Sequence, residues 1–102
     1  MIYTIKISLH HVKNRSRPDI MATILESANG GITKTNLLTR ANLTTRQLRQ
    51  YLDVLITKKL VVQLADEERR HMSYRTTEKG IRYLSVYSIL KSIAVFQREK
   101  IN

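Results

Sequence analysis

Thr45, Arg46, Arg49 and Gln50 are the side chains whose types and spacing could do chemistry in this chain. A guanidinium presents a fork of donors that fits the O6/N7 edge of guanine, a carboxamide fits the N6/N7 edge of adenine, and both also bind phosphate oxygens. Arg46, Arg49 and Gln50 follow an i, i+3, i+4 spacing, so a helix would carry them on one side. Lys34 and Arg40 precede them, and no acidic residue occurs between Glu26 and Asp53. Contacts from such cations to phosphates give sequence-independent affinity that falls steeply with salt. This is recognition chemistry, not bond-making chemistry. No Gly-rich phosphate loop, nucleophile elbow or convergent carboxylate pair appears, so no catalytic residues and no cofactor are expected. His10, His11 and His71 lack the spacing of a ligand set, so no metal is expected either. Nothing in the chain marks a small-molecule ligand.

The elements that must position these groups are legible around them. Thr44 followed by Gln47 is a capping box, with hydroxyl and carboxamide each satisfying the other residue's backbone N–H. Leu48, Tyr51, Leu52, Leu55 and Ile56 then recur at helical spacing as a buried face, opposite Arg46, Gln50, Asp53 and Thr57. Upstream, Thr33 caps a shorter helix that buries Leu37 and Leu38, and Ala41-Asn42-Leu43 make the turn. Residues Thr33 to Lys59 thus read as a helix-turn-helix whose second helix, residues 44–58, reaches base edges in a major groove. A first helix starts near Pro18 with Ser16 as cap and Asp19 at its positive end. Its stripe is Ile20, Met21, Ile24, Leu25 and Ala28, and Asn29-Gly30-Gly31 end it. Ile32 is expected to form a one- or two-residue strand.

Beyond Lys59 the period changes to alternation: Leu60, Val62 and Leu64, then Met72, Tyr74 and Thr76. This predicts a β-hairpin wing with its tip at Asp66 to Arg70. The acids of that tip repel phosphates, so Arg69 and Arg70 are the wing residues expected at DNA; a purely structural hairpin is the alternative. Thr76 or Thr77 caps a last helix from Glu78 to about Arg98. Ile81 and Leu84 are expected to pack on the winged helix. Tyr83, Val86, Tyr87, Leu90, Ile93, Ala94 and Ile101 continue an apolar seam expected to pair with a second copy in a coiled-coil-like homodimer.

The expected fold is α+β, mainly α: an N-terminal extension and basic linker (1–17), a winged helix-turn-helix (18–77) and a C-terminal dimerisation helix (78–102). Residues 2–12 alternate as a strand would, with Lys13 to Arg17 as linker or phosphate-binding arm. Eighteen Lys and Arg against eight Asp and Glu give a net charge of +10 in 102 residues, which makes nucleic acid the first partner to consider. The absence of cysteine excludes disulfides and thiolate chemistry. Lys6 and two histidines interrupt the N-terminal apolar run, so no secretory or membrane segment is expected, and a cytoplasmic, nucleoid-associated protein is.

Lys34-Thr35-Asn36-Leu37-Leu38, Arg40-Ala41-Asn42-Leu43-Thr44, Tyr51-Leu52-Asp53-Val54-Leu55 and Leu60-Val61 resemble archaeal winged-helix regulators. The likeness extends to the archaeal ten-kilodalton DNA-binding proteins, in which a winged helix carries a long C-terminal helix. Arg15 to Ala28 and Thr77-Glu78-Lys79-Gly80 also match, so the resemblance covers about residues 14–100. It departs at the alternating N-terminal segment, at Thr45, where an aromatic residue is usual, and at the acidic wing tip. The resemblance implies double-stranded DNA binding and a dimer formed by an antiparallel coiled coil of the last helices. A transcription regulator, a sequence-tolerant architectural chromatin protein and a winged helix that docks an acidic protein all fit at this stage; attachment to anionic lipid through the basic linker is a weaker option.

Overall fold

The computed structural model describes residues 15–101, with side chains described through residue 94; the alternating N-terminal segment lies outside them. Helix α1 (Arg17–Ser27) begins as its sequence requires: Ser16 is extended and its Oγ accepts from the Asp19 N–H at 3.2 Å, with Pro18 in the first turn. Gly30 and Gly31 adopt φ of +90° and +104°, a left-handed passage that carries the chain into β1 (Ile32–Thr33).

Thr33 then caps α2 (Lys34–Ala41) by accepting from the Asn36 N–H at 3.3 Å. Asn42, left-handed at φ 52°, turns the chain, and α3 (Thr45–Thr57) starts on the expected capping box. There the Gln47 N–H donates to Thr44 Oγ1 at 3.1 Å and the Thr44 N–H donates to Gln47 Oε1 at 3.0 Å. At its far end Lys59 is left-handed (φ 62°), which lets the Leu60 N–H reach the Leu55 carbonyl at 2.8 Å.

Strands β2 (Val61–Asp66) and β3 (His71–Thr76) form the hairpin, and β1 pairs with the other edge of β3 through Ile32 opposite Tyr74. All pairs are antiparallel, in the order β1-β3-β2. The register sets Val62 across from Arg75 and Leu64 across from Ser73, so these four share the face opposite Tyr74 and Thr76. The odd-numbered Val61, not the alternating set of Val62 and Leu64, faces the core beside Tyr74 and Thr76. Met72, expected with Tyr74, is exposed because the hairpin has by then run past the helices.

The core gathers Ile24, Leu25, Ala28, Leu37, Ala41, Leu48, Leu52, Leu55, Leu60, Val61 and Tyr74; in α2 it is Ala41, expected in the turn, that is buried with Leu37, while Leu38 is only partly buried. Helix α4 (Glu78–Ile101) starts on Thr77, whose Oγ1 accepts from the Gly80 N–H at 3.1 Å. Its first turn lies so close to the domain that a Cβ on Gly80 would run into the Leu60 carbonyl oxygen and Thr76 Cγ2. Further along, Lys91 Nζ donates to the buried Asp19 Oδ1 at 2.9 Å and ties the helix to the start of α1.

Three expectations for α4 are corrected. Ile81, expected on the domain, is 43% exposed, whereas Tyr83, assigned to the seam, packs against the core with Leu84. The reason is rotational: Gly80 sits against Leu60, and Leu84 and Tyr87 follow it at i+4 and i+7 on the same side, ahead of Lys91, while Ile81 is turned away. Tyr87 is half-buried with its hydroxyl enclosed, so it too belongs to the domain side. What projects is Val86, Ile89, Leu90 and Ile93, with Ile89 absent from the expected set.

Candidate nucleic-acid interface

The capping box at the start of α3 satisfies the N–H groups of Thr44 and Gln47 without covering the first turn. Thr44, Thr45, Arg46, Arg49 and Gln50 are all exposed. Thr44 Oγ1 accepts from Gln47 and keeps its own hydroxyl hydrogen to donate outward.

The flanks of α3 differ. Burial pushes the Tyr74 hydroxyl pKa up, and the negative charge of Asp53 pushes it further, so Asp53 lies toward the wing. Arg49, one turn earlier, shares that side. On the other flank Gln50, Tyr51 and Val54 line a groove with Arg17 and Met21 of α1. Arg46 falls between those flanks by helical spacing and is exposed.

Lys34 is half-buried at the start of α2, and Arg40 is exposed in its last turn, in a cleft beside the wing. At the wing tip the Arg69 N–H donates to Asp66 Oδ1 at 3.1 Å, and Arg69 Nε stands 3.9 Å from Asp66 Oδ2. Both groups are solvated, so this pair is weak, yet it already draws Arg69 back onto its own hairpin. Arg70 is exposed and left-handed (φ 52°) at the end of the turn. The structure therefore gathers Thr44, Thr45, Arg46, Arg49 and Gln50 on one helix end and sets Arg69 and Arg70 apart among acids.

Sequence reasoning missed two arginines. Arg15, read as part of a linker or arm, is half-buried, and its Nη2 donates to the Asn42 carbonyl at 3.0 Å, bracing the turn before α3. No local signal marks that contact, which spans 27 residues of sequence. Arg75 projects from β3 on the outer face of the sheet, and the strand register is what places it. Among the described residues no three His, Cys, Asp or Glu side chains gather to hold a metal ion, and no helix is long and apolar enough to cross a membrane.

Known structures share this architecture. Sso10a-2, a DNA-binding protein from Sulfolobus solfataricus, is similar over 85% of this chain and 93% of its own, with 20% identity and a TM-score of 0.71. A MarR family transcriptional regulator from Silicibacter pomeroyi aligns over 69% of this chain and 47% of its own, at 24% identity and a TM-score of 0.58. A mutant of S. aureus MepR bound to an oligodeoxyribonucleotide aligns over 94% and 74%, at 17% identity and a TM-score of 0.59. At these identities the likeness is one of fold. No curated protein sequence matches the chain. The archaeal winged-helix resemblance read from the residues thus has its counterpart in Sso10a-2. The pattern that defines winged helix-turn-helix proteins matches residues 14–95, and with the observed helices and wing it makes the chain a member of the winged helix-turn-helix family.

Proposed function

We propose that the chain is a double-stranded-DNA-binding transcription regulator that inserts α3 into the major groove and works as a homodimer. The observation that carries this reading is the exposed, acid-free end of α3. Arg46, Arg49 and Gln50 project from a helix fixed by its cap and by three buried leucines, Leu48, Leu52 and Leu55. Arginine and glutamine held on a rigid element are suited to base edges, and Lys34 and Arg40 add phosphate contacts. Localisation with the nucleoid in the cytoplasm follows from that activity.

Dimerisation rests on α4. At about 1.5 Å per residue its 24 residues span roughly 36 Å. Val86, Ile89, Leu90 and Ile93 present an apolar stripe there, and Ala94 adjoins it. A second α4 covers that stripe by coiled-coil packing. The division into a winged helix (18–77) and a dimerisation helix (78–102) is then functional, although the opening turns of α4 pack with the domain.

Selection of bound duplexes from a random pool, followed by footprinting, tests this reading. The expected product is a pseudo-palindrome whose half-sites lie about one helical turn, or a multiple of it, apart. Binding without any preferred sequence would transfer the same contacts to an architectural role. Unchanged duplex affinity in a folded Arg46→Ala/Arg49→Ala variant would refute the DNA reading and favour an acidic protein partner.

A further inference from the structure

The two ends of the wing differ in charge: Asp66, Glu67 and Glu68 share the tip with Arg69 and Arg70, whereas the base carries Arg75 on the outer face, opposite Val62 in register and with no acid beside it in the strand. The angle between α2 and that outer face encloses a cleft of about 440 Å³. Arg40 of α2 and Arg75 of β3 both line it, together with the polar Thr33, Asn36 and Ser73 and the apolar Ile32 and Leu64. No acidic residue and no residue of α3 contributes to the lining. Both arginines are exposed, and neither has a carboxylate partner among the described residues. Two guanidinium groups that converge on a polar, acid-free cleft form a local positive field, and a phosphodiester oxygen is the ligand that geometry and charge both suit.

We propose that the Arg40–Arg75 cleft binds backbone phosphates of duplex DNA, so that the base of the wing and not its tip meets the duplex beyond α3. This deepens the function proposed above and rests on it. The acids of the tip sit at the far end of the same hairpin, so a phosphate at Arg75 avoids them. Thr33, Asn36 and Ser73 supply hydroxyl and amide donors for the same oxygens.

The test is duplex affinity of the full chain across a salt series, comparing the natural protein with Arg40→Gln, Arg75→Gln, the double variant, Arg75→Lys and Arg70→Gln. Removing one arginine–phosphate pairing is expected to reduce the slope of log affinity against log salt by about 0.9 for each bound subunit, so the slope of the double variant falls by roughly 2 per subunit. Arg75→Lys keeps the slope, and Arg70→Gln leaves it unchanged. Circular dichroism and thermal melting matching the natural protein confirm that these exposed substitutions leave the fold intact. A bead-tethered duplex that captures a second labelled duplex identifies the source of the phosphates. A reduced slope on one short duplex assigns the cleft to the duplex read by α3; a failure of capture alone assigns it to a second duplex. If neither slope nor capture changes in the double variant while Arg46→Ala/Arg49→Ala weakens binding, the cleft proposal is overturned and the DNA reading stands. If the natural protein binds no duplex, both fall.

Discussion

Helices α3 and α4 are both built from apolar and polar residues at helical spacing, yet their environments differ in kind. In α3 the two classes are sorted except at Val54, which is exposed: Leu48, Leu52 and Leu55 are buried while Arg46, Arg49, Gln50 and Asp53 are exposed. In α4 apolar residues occupy two sides. Tyr83 and Leu84 pack on the core, while Val86, Ile89, Leu90 and Ile93 are 56%, 59%, 61% and 48% exposed. Single exposed apolar residues are ordinary, but four on one continuous stripe mark a surface that meets something. A helix with one apolar face has its place in a single subunit; a helix with two has a place there and another beyond it.

The largest expected effect separates the two helices by stability. Leu55 is fully buried, so Leu55→Ala is expected to cost about 2–5 kcal/mol through reduced burial and the cavity left behind. Leu90→Ala, on the projecting stripe, is expected to change the unfolding free energy of the isolated subunit by less than about 0.5 kcal/mol. Urea unfolding at low protein concentration measures both, and equal losses would abolish the distinction. Gly80→Ala comes next. Its new Cβ has no room against Leu60 and Thr76, so a loss of about 1–3 kcal/mol is expected although alanine is the better helix former. A neutral or stabilising result would mean that α4 is not seated on the domain at its first turn.

Smaller still in fold stability, but large in association, is the pair Val86→Glu/Leu90→Glu. Sedimentation velocity is expected to show the natural chain as a dimer and the variant as a monomer, with dissociation constants apart by at least roughly 100-fold, since two buried charges replace two apolar contacts. A variant that stays dimeric would place the assembly surface elsewhere. Duplex affinity should fall with the dimer, whereas the Arg46 surface itself is untouched.

The contrast between the helices also explains what could be read before the fold was known. Caps are local, so Ser16, Thr33 and Thr44 announced α1, α2 and α3 within a residue or so, and one-sided stripes then dictated the core. In α4, Tyr83 and Ile81 are two residues apart and both apolar, and no periodicity says which one meets α1. That choice depends on Gly80 against Leu60 and on Lys91 against Asp19, contacts between elements far apart in sequence. The same limit hid Arg75. Alternation grouped Tyr74 with Thr76 correctly but chose Val62 and Leu64 as their counterparts, and only the pairing of Val62 with Arg75 reveals that these apolar residues share the outer face with an arginine. The candidate site was legible where it lies on α3 and illegible where strand register creates it.

The smallest expected effect probes the one acid on the reading face of α3. Burial, and then the charge of Asp53, raise the Tyr74 hydroxyl pKa above its ordinary value of 10.0. The folded protein therefore holds this proton at a pH where the unfolded chain has released it. Stability from this source is fully present below the unfolded value near 10.0 and declines as pH rises through the higher folded value. Tyr74→Phe keeps the buried ring and removes the titration. Unfolding free energies from urea titrations at pH 9 and pH 11 are expected to fall more over that interval for the natural protein than for Tyr74→Phe. Asp53→Asn should recover only part of that difference, because desolvation is the larger cause and Asp53 the smaller. If Asp53→Asn recovered nothing, Asp53 would not face the wing, and the flank of α3 that carries Arg49 would have to be reassigned.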